Sequence, residues 1–406
     1  MNITFFLAEK IKNTKNQTFS SLIIKIGVAS IAISISVLLI SFFVLFGFKN
    51  TIKQKLFGIS SHIQISKITL NRSFEEASMP NNLPFLKKIE NNPEIKSINK
   101  VGQKSIILKS EEEISGVVLK GVDENYDWSE FETNIIAGRK LNLDKDEIKN
   151  EVIISEKIKK DLNLKLNDDL LVYFIQDPPR ARKLKIVGIY DTNVEELDQV
   201  YVLGDLKLIQ KINGWNEGQY GHLEVFINDL SKLDILKEQL LDQIPVEFQV
   251  LKITEILPQF FDWFNLLDRN ILMVIVLILV VAAFNMISVL LIMIMERTPM
   301  VGLLKSIGTS NRKIQNIFLI NGSKIIIRGM IWGNIIGFGL CFLQAKFHFI
   351  KLDAANYYMS FVPIEWDFKV AVLINIGIFM AVLLVLIIPT WFIQKINPVK
   401  ALKYKD

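Results

Sequence analysis

The sequence lacks the residues on which most catalytic and metal sites are built. It has one cysteine in 406 residues, and its three histidines, His62, His222 and His348, are far apart. No cysteine pair accompanies them, so neither a Cys/His zinc site nor a disulfide framework is predicted. A GxxxxGK[ST] nucleotide loop, a GxSxG nucleophile turn and an HExxH helix are also missing. The chain is therefore predicted to be no enzyme and to need no cofactor.

Charged residues are rare in four long apolar runs. Each run approaches or exceeds the roughly 20 residues that cross about 30 Å of hydrocarbon. They predict four membrane-spanning helices, at 22–48, 269–295, 316–345 and 370–394. The third has the shortest uncharged run, so we expect it to begin near Ile317, with Lys324 and Arg328 at the interface or facing other helices. The first is too long for a signal-peptide core and lacks a cleavage site, which predicts an uncleaved anchor.

Acidic residues are missing from all four predicted spans. A proton- or cation-coupled carrier normally needs a titratable carboxylate within the membrane, so this class of transporter is disfavoured. The spans do contain uncharged amides, which suit hydrogen bonds between helices better than ion relay. These are Asn285, Asn321, Asn334 and Asn375.

Basic residues concentrate beside the spans, although the formal net charge is only +5. Residues 49–268 carry 29 Lys+Arg against 36 Asp+Glu, so the basic excess lies elsewhere. The positive-inside rule makes the segments 1–20, 296–315 and 395–406 cytoplasmic, and the segments 49–268 and 346–369 extracytoplasmic. Cations that flank spans form no patch on a soluble module, which disfavours a nucleic-acid partner.

The outer segment 49–268 is long enough for a core of its own. Strand patterns occur at 62–68, 105–109, 115–122, 169–175, 183–191 and 223–228. Helical patterns lie between them, at 83–90, 156–162 and 230–241. The predicted fold is thus an integral membrane protein with four transmembrane helices and a large extracytoplasmic mixed α+β domain between helices 1 and 2. Residues 1–20 predict an interfacial helix or, alternatively, a short solvated tail.

Helical patterns also continue outward from the first two spans. Residues 49–56 extend the first span, and Pro258 can start a helix that leads into the second. In that helix Phe260, Trp263, Phe264 and Leu267 fall at helical spacing. They predict either a stalk that transmits motion or an interfacial aromatic belt.

The segment from Glu296 follows the second span with a charged pair, a short amphipathic helix, a break at Gly308-Thr309-Ser310 and a basic helix. A helix lying across the membrane surface suits docking into a cleft of a cytoplasmic protein. An ordinary basic loop required by topology would show the same spacing.

This segment resembles the motif of the FtsX-like permease family: Glu-Arg/Lys-Thr, then an Ile-Gly-x-Leu-(Arg/Lys)-x-(Ile/Leu/Met)-Gly-(Ala/Thr)-Ser stretch, then a basic helix. Residues of the motif include Phe318, Leu319 and Gly322, and the tail NPVKALKYK resembles the family's C-terminus. The outer half, from GFKNTIKQKLFGISSHIQIS onward, is similar to the lipoprotein-releasing (Lol-type) branch. The resemblance implies a coupling helix for a partner ATPase, formed by Glu296, Arg297, Thr298, Gly302, Leu304, Lys305, Ile307, Gly308, Thr309, Ser310 and Arg312.

The resemblance also implies the partners of the protein and its cellular location. Two permease subunits, as a homo- or heterodimer, would dock on cytoplasmic ABC ATPase subunits in the bacterial inner membrane. They would extract lipoproteins and pass them to a periplasmic carrier. Alternatives within the family are a mechanotransmitting permease that regulates cell-wall hydrolases and a macrolide-exporter-like permease.

One stretch departs from the Lol-type pattern. Carrier-binding subunits have a long hairpin where this chain has the short QDPPRARK. Pro178, Pro179, Arg180 and Arg182 are candidate contacts for an acidic periplasmic partner, and a plain hairpin tip is the alternative.

Overall fold

The computed structural model describes residues 19–69, 75–110, 113–145, 147–176 and 178–397. Residues 1–18 of the predicted interfacial helix and the C-terminal motif after Asn397 lie outside these described residues. Two compact units are present. The membrane unit holds residues 19–49, 264–351 and 361–397, and the outer unit holds 50–263 and 352–360.

The helices and strands are numbered separately in chain order. The helices are α1 (Phe19–Ile59), α2 (Leu86–Glu90), α3 (Glu156–Asp161), α4 (Glu195–Asp198), α5 (Leu206–Asn213), α6 (Leu233–Gln243), α7 (Ile253–Ile256), α8 (Pro258–Glu296), α9 (Thr298–Ser306), α10 (Asn311–Phe347), α11 (Ala354–Tyr357), α12 (Phe368–Val385) and α13 (Ile387–Thr390). The strands are β1 (Ile63–Lys67), β2 (Ile95–Lys109), β3 (Ile114–Val122), β4 (Ile135–Gly138), β5 (Glu151–Ser155), β6 (Asp169–Phe174), β7 (Arg180–Tyr190), β8 (Tyr201–Asp205), β9 (His222–Ile227) and β10 (Phe248–Lys252).

Four helical stretches in the described chain are long and apolar enough to cross a membrane. They are Leu22–Ile59, Pro258–Glu296, Asn311–Phe347 and Phe368–Lys395. With the mixed α and β domain between the first two, they confirm the predicted fold class. The third helix already begins at Asn311, ahead of the predicted start of its span. The fourth is interrupted after Val385, where Pro389 lacks the N–H that would continue the helical hydrogen bonds.

Glycines on α10 let α1 approach it closely. A Cβ placed on Gly329, Gly333 or Gly337 would meet α1 at Ile31, Ala32 or Leu39 at 2.7, 2.7 and 3.2 Å. These glycines recur every fourth residue, so they form one stripe along the helix. Small residues at this spacing allow backbones to pack in the membrane, where lipid is as apolar as a leucine side chain.

Asparagine amides connect neighbouring spans. Asn285 of α8 donates to the Ser30 hydroxyl of α1 at 2.7 Å, and Asn334 of α10 and Asn375 of α12 exchange hydrogen bonds at 2.7 and 3.0 Å. The predicted helix-to-helix role is therefore confirmed for these three residues. It is wrong for Asn321, whose amide donates to the Ile317 carbonyl of its own helix.

The outer unit is built on one ten-stranded sheet. Its order is β10-β1-β9-β2-β3-β8-β5-β7-β4, and β6 pairs with both β2 and β7. The pairings among β2, β3, β8, β5, β7 and β6 therefore close into a ring. Apolar side chains of these strands fill one core, together with Ile158 of α3 and Ile209 of α5.

All six strands predicted from the sequence are present, as β1, β2, β3, β6, β7 and β9. β2 begins at Ile95, well before the predicted residue 105, because its first half pairs with β9. The predicted helical stretches 83–90 and 156–162 contain α2 and α3, and the stretch 230–241 overlaps α6, which continues to Gln243. Strands β4, β5, β8 and β10 are not predicted from the sequence. β5 and β8 are short and almost wholly buried, so they lack the alternation that marks a half-exposed strand.

A buried group of charges lies on β3 and β9, the two strands that flank β2. The Lys120 ammonium is 2.7 Å from the Glu224 carboxylate and donates to the Ile59 carbonyl, at the end of α1, at 2.6 Å. His222 Nδ1 lies 2.6 Å from Glu76. Burial alone would lower the pKa of His222, but the carboxylates of Glu76 and Glu224 outweigh it and raise the pKa to about 9. His222 is therefore protonated at neutral pH.

Gly333→Leu is expected to destabilise the protein, because the new side chain would collide with the backbone of α1. Overpacking of this kind costs about 1–3 kcal/mol. The measurement is the midpoint of thermal unfolding of the full chain in detergent. Gly339→Leu is the matched control, since a Cβ there meets nothing within 4 Å. Equal midpoints for the two variants would contradict the close packing of α1 on α10.

His222→Gln is expected to remove a pH-dependent part of the stability. The folded-state pKa of about 9 exceeds the ordinary value of 6.5. Protonated His222 therefore contributes stability that is complete below about pH 6.5 and is lost as the pH rises through about 9. At about 1.4 kcal/mol per pKa unit, the loss is a few kcal/mol. Between about pH 6 and pH 10, the wild type should lose more thermal stability than H222Q; equal losses would refute the charge assignment.

Candidate ATPase-coupling segment

The segment after α8 turns back toward the membrane through two tight breaks. Thr298 donates its hydroxyl hydrogen to the Met295 carbonyl at 2.7 Å where α8 ends, and Pro299 stands in the first turn of α9. Gly308 ends the α9 turn with φ +83°, in the left-handed region that favours glycine. Ser310 is extended and precedes α10. The predicted helix, break and second helix are therefore present.

One face of α9 packs on the membrane helices. Val301 and Gly302 are buried, and Met300 and Leu304 pack against the apolar core of the membrane unit. Gly302 and Leu304 belong to the family motif. Their packing shows what these motif positions do in this chain: they attach the helix to the spans.

Lys305 extends this attachment to the fourth span. Its ammonium group donates to three main-chain carbonyls at the end of that span, those of Ile393, Gln394 and Ile396, at 2.7, 3.3 and 2.9 Å. The last carbonyls of a helix have no partner within it and carry partial negative charge, which a lysine satisfies. Gln315 of α10 adds a hydrogen bond to the Thr390 carbonyl at 3.2 Å.

The opposite face of α9 is an exposed apolar ridge. We define the docking ridge as Pro299, Leu303 and Ile307, which recur every fourth residue and so lie on one side of the helix. Leu303 is 55% exposed and Ile307 is 71% exposed. Exposed Arg312 and Lys313 follow it at the start of α10. An apolar ridge beside cations can enter an apolar cleft with an acidic rim.

The predicted coupling residues thus divide into two groups. Five are exposed: Glu296, Ile307, Gly308, Ser310 and Arg312. Six are partly or fully buried: Arg297, Thr298, Gly302, Leu304, Lys305 and Thr309. Pro299 and Leu303 of the docking ridge were missed by the motif. The signal that could have found them was their spacing of four from Ile307 on a helix with two apolar faces.

The predicted stalk residues lie on one side of α8. Phe260 and Phe264 are only 3% and 2% exposed, and Trp263 and Leu267 are half-buried. In the outer unit the rings of Phe260 and Trp263 contact Tyr358 at 5.9 and 6.1 Å between centroids. Rings packed against protein do not fit a lipid-facing aromatic belt. Their role in transmitting motion stays a prediction.

Within the QDPPRARK stretch, Gln176, Pro178 and Pro179 lie at the tip of the hairpin between β6 and β7, and β7 begins at Arg180, which pairs with Phe174. Pro178, Pro179, Arg180 and Arg182 are all exposed. Beside them is an open, mainly apolar cavity of about 400 Å³, whose lining includes Ile107, Ile114, Tyr173, Ile175 and Pro179. The tip therefore combines cations with exposed apolar surface.

Comparisons with known proteins place these features in a family context. The FtsX-like permease C-terminal family model matches residues 272–398, and the MacB-like periplasmic core domain model matches residues 26–240. The chain is 25% identical over 405 residues to the lipoprotein-releasing system transmembrane protein LolC of Buchnera aphidicola subsp. Schizaphis graminum (strain Sg), covering 95% of this chain and 94% of that protein.

A second relative is the lipoprotein-releasing system transmembrane protein LolE of Haemophilus influenzae, 21% identical over 423 residues and 99% of both chains. Among solved structures, the periplasmic region of MacB from Actinobacillus actinomycetemcomitans is 17% identical, with a TM-score of 0.33 over 51% of this chain and 95% of that one.

Lys305→Met is expected to loosen α9 from the fourth span, because methionine keeps the volume but cannot donate to the carbonyls. Hydrogen bonds to a charged group contribute about 1.5–3 kcal/mol. The midpoint of thermal unfolding in detergent should fall accordingly. Lys313→Met, at an exposed cation of the same segment, is the control and should change the midpoint little. If the two variants unfolded alike, the carbonyl contacts of Lys305 would not be a stabilising attachment.

Proposed function

We propose that this chain is the membrane subunit of an ABC transporter that releases lipoproteins. The premise is that the chain belongs to the family of FtsX-like permeases with a MacB-like periplasmic core domain. The observation that carries this proposal is the end-to-end similarity to relatives named for lipoprotein release, which includes the outer domain as well as the spans. The chain is a multi-pass protein of the bacterial inner membrane.

Energy for release would come from a separate ATPase. Removing acyl chains from a bilayer costs about 0.8 kcal/mol per CH₂, so extraction of an anchor with two or three chains needs an input of energy. We assign the docking ridge, with Arg312 beside it, to the ATPase cleft. Gly302, Leu304 and Lys305 would then carry the displacement of α9 into the spans, and Lys305 would carry it into the fourth.

A second permease subunit and a periplasmic carrier complete the proposal. The exposed tip with Pro178, Pro179, Arg180 and Arg182 supports contact with an acidic periplasmic partner, since its cations border an apolar cavity. The helix from Phe260 to Leu267 would act as the stalk that moves the outer domain. Two alternatives, regulation of cell-wall hydrolases and efflux in the manner of an exporter, use the same coupling and differ in what the outer domain meets.

The function is tested by depleting the protein from its own bacterium and measuring where lipoproteins accumulate. Under the proposal they collect in the inner membrane. If cells instead grew as chains with lipoproteins correctly distributed, the protein would be a regulator of wall hydrolysis and the proposal would fail.

The docking ridge is tested by Ile307→Glu. A charge at a 71% exposed position should leave folding intact but block entry into an apolar cleft. We expect the co-purifying ATPase to fall at least about tenfold, which is about 1.4 kcal/mol of binding, and complementation to fail. Ile235→Glu, at an exposed isoleucine on α6 of the outer unit, is the matched control. If as much ATPase co-purified with I307E as with the wild type, the docking ridge would not be the surface that binds the ATPase.

A further inference from the structure

Two cations lie on the outer surface of the spans, among apolar residues. Lys25 of α1 is exposed next to Leu22 and Ile26, and Arg328 of α10 is exposed next to Ile327 and Ile331. Trp332 is exposed one turn beyond Arg328. Within the part of the chain that the structure describes, neither Lys25 nor Arg328 has an ion pair or a hydrogen bond.

Lys25 and Arg328 lie at similar depths along the two helices. A Cβ on Gly27 of α1 would lie 3.5 Å from Ile325 of α10, and the contacts Gly329 to Ile31 and Gly337 to Leu39 show that the two helices run parallel. Lys25 is two residues before Gly27, and Arg328 is three residues after Ile325. At 1.5 Å per residue, their backbones are separated by only about 8 Å along the helix axes.

Charged residues at the other end of the membrane unit show how deep Lys25 and Arg328 lie in the membrane. There the Lys49 ammonium is 2.7 Å from the Asp268 carboxylate, and Lys346 is exposed. Lys49 is about 36 Å from Lys25 along α1, and Lys346 is about 27 Å from Arg328 along α10, by the helical rise. The hydrocarbon core is about 30 Å thick, so Lys25 and Arg328 lie at its cytoplasmic border, where lipid phosphates are found.

At this border a long basic side chain reaches the interface, where the lipid phosphates are the anions available to it. A guanidinium group binds phosphate oxygens through two parallel hydrogen bonds, and an ammonium group binds them as a point charge. We propose that Lys25 and Arg328 bind the headgroup phosphate of anionic phospholipids in the cytoplasmic leaflet. A zwitterionic headgroup fits less well, because its own ammonium would be repelled by two neighbouring cations.

This ligand differs from the lipoprotein cargo of the proposed function, so the two proposals stand or fall separately. The site would hold anionic lipid beside the helix pair α1 and α10, whose close packing depends on the glycine stripe. Each cation near a charged membrane surface contributes about fivefold to the preference for anionic lipid.

The test uses the full chain, purified from vesicles that contain phosphatidylethanolamine and phosphatidylglycerol in equal amounts. Native mass spectrometry then counts the lipids that stay bound. We expect a preference for phosphatidylglycerol in the wild type and a fall of about 25-fold in that preference in K25Q/R328Q. Arg328→Lys, which keeps the charge, should retain most of the preference.

The control is K87Q/K88Q, which removes two exposed cations from α2 of the outer unit. It should bind lipid as the wild type does, and all variants are compared as single monodisperse peaks in gel filtration. The proposal is overturned if K25Q/R328Q keeps the wild-type preference, if K87Q/K88Q loses as much, or if the wild type prefers phosphatidylethanolamine. Displacement of the lipid by millimolar inorganic phosphate would also overturn it, since the site would then bind free anions.

Discussion

The contact of the Lys305 ammonium group with three carbonyls at the end of the fourth span is the constraint on which the arrangement of the segment after α8 depends. The connection between α8 and α10 is short, and this contact adds hydrogen bonds to the fourth span to the apolar packing of α9 on the membrane unit. With it, α9 is also bonded to the end of the fourth span. The helix is therefore part of the bundle rather than a separate lever.

This attachment explains why a motif shared by a family need not coincide with a binding surface. Gly302 and Leu304 match the motif but face the spans, where they pack on the apolar core of the membrane unit. Leu303, which lies between them, faces outward. A partner that recognises the docking ridge would contact Pro299 and Leu303, which the motif leaves unspecified, together with Ile307, which the motif includes. The specificity of docking and the strength of attachment can thus vary independently.

The sequence predicts the parts of this structure that depend on composition or local periodicity. The four spans follow from apolar length, and β6 follows from alternation. β5 and β8 could not be found in this way, because residues buried on both faces do not alternate. The glycine stripe on α10 is visible in the sequence, but its meaning depends on which helix packs against it. The contact of His222 with Glu76 joins residues far apart in the chain, and no local pattern points to it.

Two lysines in this chain donate hydrogen bonds to main-chain carbonyls at the ends of helices. Lys120 donates to the carbonyl of Ile59, where α1 ends in the outer unit, and Lys305 donates to the carbonyls that end the fourth span in the membrane unit. Carbonyls at a helix end have no partner in the helix, and burying them without a donor costs free energy. An apolar side chain at either position would fill the space but leave the carbonyls unsatisfied. A long side chain with three donors meets both requirements, which accounts for a charged residue at each of these partly or fully buried sites.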